Sequence, residues 1–315
     1  MRIIFLGTPE FALPSLQKLL SSHHKILAVV TQKDKETNRK GEIVFPPVKS
    51  LALKHGLKVL QYDNISNEGV CALKQLDADI MITVAYGQIL SQELLNLTKY
   101  GTINVHSSLL PKYRGASPMQ AALLNGDDET GVSIMQTVLE MDAGDILNVE
   151  KMSISNKTTL KDVHDILSDL GATALLKTLD EIEDGTVKRL AQDETKATHT
   201  KKINKQDGII NWARPAKEIL RQINAMNPWP GAFTFLNGKI IKILNADVID
   251  PRNFKSALDL HLYNDGTCFV FPHNICIKTG DGILGVSCVQ LEGKKPLTAL
   301  EIFNGGLIKS ETTLG

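Results

Sequence analysis

Two polar residues near the middle of the chain are spaced so that both could act on one substrate. Asn104 and His106 are separated by a single residue at the end of an apolar run that we predict as a strand. Side chains alternate between the faces of a strand, so both would point to the same side. The amide suits a developing oxyanion, and the imidazole suits proton transfer or, when charged, the same oxygen. The pair predicts acyl transfer, although an isolated histidine more often only caps a strand or binds a main-chain carbonyl group.

An acidic turn later in the chain could complete this arrangement. Asp142 and Asp145 flank Gly144, after another strand-like run. A carboxylate beside His106 would hold the ring in one orientation and favour its charged form. The alternative is a solvated turn without a catalytic role, and the sequence does not decide whether Asp142 and His106 meet.

A short apolar segment follows the Asn104–His106 pair. Ser108 and Pro111 enclose two leucines. The segment would form an apolar wall beside the site, although such a segment is more often part of the core.

The patterns of the strands and helices that must position these residues predict an α/β domain over residues 1–189. Strand-like apolar runs occupy residues 3–6, 26–31, 80–84, 102–105, 133–138 and 146–149. Helical patterns follow the first run and occupy residues 48–55 and 159–183, and Thr8 is expected to cap the first helix. Strands separated by helices favour a Rossmann-like, mostly parallel sheet, in which ligands bind beyond the carboxyl ends of the strands.

The first strand-to-helix turn argues against one common function of such sheets. It reads Gly7-Thr8-Pro9-Glu10 and lacks the GxGxxG pattern. A nicotinamide dinucleotide needs those glycines close to its pyrophosphate, so an NAD-dependent dehydrogenase is disfavoured.

The remainder of the chain predicts a linker at residues 190–206 and a second domain at residues 207–315. The linker is polar and has no periodic pattern. After it come a helical pattern at residues 216–226 and short strand-like runs at residues 233–236, 240–244, 267–271 and 283–291. Short strands bounded by turn residues are typical of a small β-barrel, here one of the OB-like kind.

Composition restricts the classes of protein further. The 315 residues carry a formal net charge of zero, so any contact with a polyanion must use local patches. Cys71, Cys268, Cys276 and Cys288 form no CxxC pair, which favours small buried thiols in a reducing cytosol over a zinc site. The opening apolar run is too short for a signal peptide, and no run is long enough to span a membrane, so a cytoplasmic enzyme is expected.

As a set, the polar residues resemble the formyltetrahydrofolate-dependent formyltransferase family. Its members share an Asn-x-His pair, a Ser-Leu-Leu-Pro segment and a downstream Asp-x-Gly loop. This chain carries them as Asn104 with His106, residues 108–111, and Asp142 with Gly144, and residues 131–136 also resemble a family signature. The resemblance implies a catalytic domain that moves a formyl group from 10-formyltetrahydrofolate to an amine.

Four further features resemble the members of the family that act on methionine carried by initiator tRNA. They are the opening strand and turn at residues 5–12, a loop from residue 32 that ends at residues 47–49, the strand end at residues 84–87, and a segment at residues 227–232. In those members the loop approaches the acceptor end of the tRNA. Here residues 33–49 hold five basic and three acidic residues, a net charge of +2, so a solvated flexible loop is the alternative.

The resemblance also implies a role for individual residues. Asn104 and protonated His106 would stabilise the oxyanion that forms when a neutral amine attacks the formyl carbon, and Asp142 would keep His106 charged and help to move protons through water. Neither a nucleophilic side chain nor a metal ion is implied. The residues assigned to the folate pocket are Val84, Tyr86, Gly87, Ile89, Leu90, Ser108, Leu109, Leu110, Pro111, Val138, Leu139 and Glu140. Phe11 is assigned to the pocket for the methionine side chain, and Arg39 and Lys40 to the tRNA.

The partners implied are aminoacylated initiator tRNA and the folate, with no membrane and a monomeric chain. Two other classes stay open. One is a formyltransferase that acts on a sugar-nucleotide amine and also carries a small β-domain. The other is a folate- or RNA-binding module without activity, against which the intact Asn104, His106 and Asp142 argue. A glycinamide ribonucleotide formyltransferase is disfavoured, because that enzyme usually ends after the catalytic domain.

Overall fold

The computed structural model describes residues 1–34, 43–250 and 262–315. These residues form two compact units. The first unit comprises Met1–Pro118, Glu129–Ser153 and His164–Lys201, and the second comprises Met119–Asp128, Ile154–Val163 and Lys202–Gly315. The domain boundaries expected after residues 189 and 206 stay predictions.

A seven-stranded sheet forms the centre of the first unit. In chain order the strands up to residue 200 are β1 (Arg2–Gly7), β2 (Lys25–Thr31), β3 (Val59–Gln61), β4 (Ile80–Val84), β5 (Thr102–His106), β6 (Arg114–Gly115), β7 (Glu129–Gln136), β8 (Ile146–Ser153) and β9 (His199–Thr200). The sheet has the order β3-β2-β1-β4-β5-β7-β8, and β6 pairs separately with β9. The first five strands in this order, from β3 to β5, pair in parallel. Strand β7 pairs antiparallel with both β5 and β8. These pairings confirm the mostly parallel sheet.

The central strands are apolar on both faces because both faces are covered. Ile3, Ile4 and Phe5 in β1 are fully buried, as are Ile80 and Ile82 in β4. Continuous apolar runs of this kind are typical of parallel strands under helices. The short edge strand β3, which is only half-buried, gave no such signal and was not predicted from the sequence.

Among the helices up to residue 183, those at residues 13–20, 47–54 and 160–183 confirm predicted patterns, with one correction at the start, and the others were not predicted. In chain order the helices are α1 (Leu13–Leu20), α2 (Pro47–Lys54), α3 (Ile65–Glu68), α4 (Val70–Lys74), α5 (Gln92–Leu95), α6 (Pro118–Asn125) and α7 (Leu160–Glu183). A 3-10 turn at Glu10–Ala12 precedes α1, and Thr8 caps neither of them. The Thr8 hydroxyl instead donates to the main-chain oxygen of Tyr86 at 3.1 Å, because Thr8 lies beside the loop that follows β4.

An antiparallel sheet forms the centre of the second unit. Its strands are β10 (Ala232–Leu236), β11 (Lys239–Ile249), β12 (Thr267–Val270), β13 (Ile275–Lys278), β14 (Ile283–Leu291), β15 (Pro296–Thr298) and β16 (Thr312–Thr313). The helices after residue 201 are α8 (Ala216–Met226) and α9 (Ala299–Gly305). The order is β10-β11-β14-β13-β12-β16, with β15 on β14. Register shifts at Asn245 bend β11, and the sheet curls into a half-barrel. The small β-domain expected from the sequence is therefore confirmed.

The cysteines are only partly as expected. Cys268 and Cys276 lie in the half-barrel, where burial raises the pKa of each thiol to about 11. Cys71 is exposed, which corrects the expectation of a buried thiol, because α4 turns that side chain away from the core. Separately, none of the helices in the described residues is long and apolar enough to cross a membrane.

Candidate active site

Asn104 lies in β5 opposite Thr83, at the carboxyl end of the parallel strands. The Thr83 hydroxyl donates to Asn104 Oδ1 at 2.9 Å. The same hydroxyl lies 3.2 Å from the main-chain oxygen of Ile103, which is the other acceptor within its reach. With Oδ1 facing Thr83, Nδ2 is the end of the Asn104 amide that is left to donate. The site therefore holds an oriented N–H donor.

His106 is buried, with only 6% of its surface exposed, and both ring nitrogens face acceptors. Nε2 donates to the main-chain oxygen of Tyr113 at 3.1 Å, and Nδ1 lies 3.6 Å from Asp142 Oδ2. The structure thus brings together the His106 and Asp142 that the sequence could not connect.

The loop that carries Asp142 is held by main-chain contacts. Asp142 has a positive φ of 52°, and its Oδ2 accepts from the Gly115 amide at 2.7 Å. Gln192 Nε2 donates to the main-chain oxygens of Asp142 at 2.8 Å and Gly144 at 2.7 Å. Gly144 packs so closely that an added Cβ would lie 1.8 Å from the oxygen of Gln136. The carboxylate is therefore positioned by the backbone around it.

A buried arginine holds Gln192, the side chain that binds this loop. Arg114 is 1% exposed and donates to Gln192 Oε1 from Nε at 3.0 Å and from Nη2 at 2.9 Å. It also donates to both carboxylate oxygens of Glu194, at 2.9 and 2.6 Å, and this hydrogen bonding lowers the pKa of Glu194. Sequence reasoning missed Gln192 and Glu194, because they lie in a polar segment without a pattern.

The loop after β4 places the first group of predicted folate residues in two environments. Val84 is fully buried, and the side chains of Tyr86 and Leu90 belong to an apolar core cluster. Burial raises the pKa of the Tyr86 hydroxyl to about 12. Gly87 has a φ of 88° and Ile89 is 80% exposed, so these two lie at the surface of the loop. The side chains of Tyr86 and Leu90 therefore leave little surface for a ligand.

The segment from Ser108 to Pro111 is an internally bonded turn. The Ser108 side chain is buried, and its hydroxyl donates to the main-chain oxygen of Lys112 at 2.7 Å. Leu110 packs in an apolar cluster, whereas Leu109 and Pro111 are half-buried. Of this segment, Leu109 and Pro111 are the side chains that retain surface for a ligand.

The third group of predicted folate residues is exposed. Val138 and Leu139 expose 40% and 60% of their surface, and Glu140 is exposed next to them. Val138 also lines a cavity of about 490 Å³ that Gln136 shares. Exposed apolar side chains beside Asp142 offer a surface that a flat ring could cover.

The residues predicted to bind the amine substrate are less defined. Phe11 is 5% exposed and packs edge-to-face against His164, with ring centroids 5.5 Å apart. Arg39 and Lys40 lie outside the described residues. The roles expected for all three stay predictions.

Two family profiles match the chain. The profile described as formyl transferase matches residues 1–179, and the profile described as formyl transferase, C-terminal domain, matches residues 202–307. Together they cover most of the sequence, which confirms the resemblance noted from the motifs.

Curated relatives align over essentially their whole length. The methionyl-tRNA formyltransferase of Lachnospira eligens is 40% identical over 316 residues, covering 100% of both chains. That of Coxiella burnetii is 40% identical over 323 residues, covering 100% of this chain and 99% of the relative.

Solved structures share the fold at lower identity. WlaRD, described as a sugar 3N-formyl transferase and crystallised with dTDP and 5-N-formyl-THF, gives a TM-score of 0.67 at 22% identity over 94% of this chain and 99% of its own. HypX from Aquifex aeolicus in complex with tetrahydrofolic acid gives 0.66 at 18% identity, over 98% of this chain and 48% of its own. At these identities the likeness establishes the fold.

Proposed function

Because the chain belongs to the formyl transferase family, we propose that it transfers the formyl group of 10-formyltetrahydrofolate to the α-amino group of methionine on initiator tRNA. The observation that carries this proposal is the full-length alignment, at about 40% identity, with relatives of that activity. The arrangement of Asn104, His106 and Asp142 supports it, since these groups suit acyl transfer to an amine.

The proposed chemistry is direct attack of the neutral amine on the formyl carbon. A bond forms between the amine nitrogen and that carbon, and the carbonyl oxygen becomes an oxyanion. Asn104 Nδ2 donates to this oxygen, and His106 supplies positive charge beside it. Collapse of the intermediate breaks the bond from the formyl carbon to the folate nitrogen.

Asp142 acts on the proton balance of the reaction. Its carboxylate lies 3.6 Å from His106 Nδ1, where it can orient the ring. The attacking amine must lose a proton as its new bond forms, and Asp142 accepts that proton through water. The folate nitrogen takes up a proton as it leaves, so the reaction consumes no net acid or base.

The residues beside this group fit the folate. Exposed Val138 and Leu139 are proposed to provide apolar surface for its ring system, and main-chain polar groups of residues 138–142 to bind the ring edge. The exposed loop positions Gly87 and Ile89 complete the proposed pocket.

The tRNA is proposed to contact charges outside the reaction centre. Arg39 and Lys40 are assigned to the acceptor stem, and the lysines of the predicted linker add positive charge. Residues 207–315 hold eleven basic and ten acidic residues, so this domain is proposed to position the tRNA with modest affinity of its own. A cytoplasmic, monomeric protein is the remaining part of the proposal.

Thr83 is proposed as a positioning residue for the Asn104 amide. Thr83→Val keeps the shape but removes the hydroxyl that donates to Asn104 Oδ1. We expect kcat to fall by about fivefold to tenfold, because one hydrogen bond contributes about 1 kcal/mol and the amide can then rotate. The folate Kd should not change. Steady-state kinetics with folate titration tests this, and Thr83→Ser, which retains the hydroxyl, should restore kcat; equal losses in both variants would contradict a positioning role.

Competition between amine substrates tests the proposed function itself. The purified protein is given 10-formyltetrahydrofolate with methionyl initiator tRNA, a dTDP-amino sugar and glycinamide ribonucleotide, and each formylated product is quantified. We expect kcat/KM for the tRNA to exceed the other two by at least about a hundredfold. Uncharged initiator tRNA is the control. Faster formylation of the sugar nucleotide would overturn the assignment in favour of that class.

A further inference from the structure

A cluster of four metal-ligating side chains lies at the edge of the first unit, on elements that the formyl-transfer proposal does not use. His23 and His24 occupy the turn between α1 and β2, and Asp180 and Glu183 lie one helical turn apart in α7. One candidate ligand atom from each residue falls within 4.8 Å of all the others. Residues i and i+3 share one face of a helix, so both carboxylates point to the two rings.

The distances within the cluster match a tetrahedral ion. His23 Nε2 is 3.0 Å from Glu183 Oε2 and 3.9 Å from Asp180 Oδ1, and His24 Nε2 is 3.4 Å from Asp180 Oδ1. Zinc bonds to nitrogen and oxygen are about 2.0–2.2 Å long, which places tetrahedral ligand atoms about 3.3 Å apart. Two of these contacts, at 3.0 and 3.4 Å, are close to this spacing, and the exposed His23 must move towards Asp180 for one ion to be shared.

One ring nitrogen of the cluster is buried and unsatisfied. The His24 side chain is 0% exposed; its Nδ1 lies 3.1 Å from the Met1 nitrogen, whereas its Nε2 has no hydrogen-bond partner within the described part of the chain. Asp180 Oδ1, which it faces, is likewise buried without a partner. A buried polar atom without a hydrogen bond lowers the stability of the folded protein, so the facing pair of His24 Nε2 and Asp180 Oδ1 requires an explanation.

The side chains of the cluster are of the types that bind divalent transition metals, as neutral imidazoles and carboxylates.

We propose that His23, His24, Asp180 and Glu183 bind one zinc ion. Glu183 is prepared for this role, because its Oε1 accepts from the Met1 nitrogen at 2.9 Å while Oε2 faces His23. Ligating carboxylates commonly have such an outer partner. Two imidazoles and two carboxylates neutralise the dication and close a tetrahedral shell, which makes the site structural. The ion joins residues that are 160 positions apart in sequence, at the start of β2 and the end of α7.

Metal titration of the full-length, untagged protein tests the proposal. The metal-free protein is titrated with Zn²⁺ by calorimetry and with Co²⁺ by visible absorption, because tetrahedral Co²⁺ absorbs strongly. We expect one equivalent of each ion, an intense Co²⁺ spectrum, and a higher Tm in the loaded protein. His23→Ala should weaken Zn²⁺ binding by more than about tenfold, as loss of even an outer-sphere partner does.

Two further variants make the result decisive. His55→Ala removes an exposed histidine of the same unit that is outside the cluster, and should bind Zn²⁺ like the unchanged protein. Glu183→Gln retains the shape of an exposed side chain and should weaken binding as His23→Ala does. The proposal is overturned if the protein binds no stoichiometric Zn²⁺, or if His23→Ala and Glu183→Gln bind it as tightly as His55→Ala.

Discussion

Replacing His106 with alanine is expected to lower the turnover of formyl transfer by about a hundredfold to a thousandfold, the usual loss when an oxyanion-stabilising group is removed. His106 lies between the Tyr113 carbonyl oxygen and Asp142, so alanine removes the ring from both neighbours. The measurement is kcat with both substrates saturating, and folate affinity should stay within about threefold, because the group acts on the developing charge.

Folding must be separated from chemistry in this variant, since His106 is only 6% exposed. His106→Gln provides the second measurement, because its amide can still donate to the Tyr113 oxygen but carries no charge. We expect it to fold like the unchanged protein and to lose most of the same turnover. Near-normal kcat in a folded His106→Ala or His106→Gln protein would remove the residue from the proposed mechanism.

Gly144→Ala is expected to lower turnover by about a hundredfold, the loss that a displacement of about 1 Å in a catalytic group produces. The new Cβ would lie 1.8 Å from the main-chain oxygen of Gln136 and cannot be relieved by rotating a side chain. The loop must move, and both hydrogen bonds from Gln192 that hold it are lost or stretched. The carboxylate of Asp142 then leaves the neighbourhood of His106.

A double-mutant cycle shows whether Gly144 acts through Asp142. Asp142→Ala is expected to lose about as much turnover as Gly144→Ala, and the double variant should lose little more than either single change, because both remove the same interaction. Multiplied losses in the double variant would show that the glycine acts elsewhere. Circular dichroism and Tm of all three variants control for global unfolding.

The sequence specified elements whose apolar pattern is long or continuous. Helix α7 and strands β1 and β4 were predictable, because each buries a regular set of side chains. Strand β3 was not, since three half-buried residues at a sheet edge carry no distinguishing pattern. The start of α1 was misplaced because the pairing of Thr8 with the loop after β4 depends on a contact across 78 positions.

The candidate site was predictable only in its directly reacting groups. Asn104 and His106 follow from alternation in one strand, whereas Thr83 is their neighbour only through the register of two parallel strands. Gln192 lies 78 positions from Arg114, in a segment that is held by contacts with distant residues rather than by a pattern of its own. Whether Tyr86 points inward was equally hidden, since it depends on the positive φ angles of Ala85 and Gly87 on either side of it.

The contacts of Arg114 with residues 192–200, here called the clamp, determine where a chimera of this protein and a relative can be joined. Strand β9 pairs with β6, the Arg114 amide donates to the Thr198 oxygen at 2.8 Å, and Arg114 holds Gln192 and Glu194. A chimera joined at residue 190 would take these partners from a foreign chain and leave the arginine buried against side chains that evolved beside another. A junction after Thr200 keeps the clamp in one parent, so an exchange of the residues from 202 onward leaves these contacts intact.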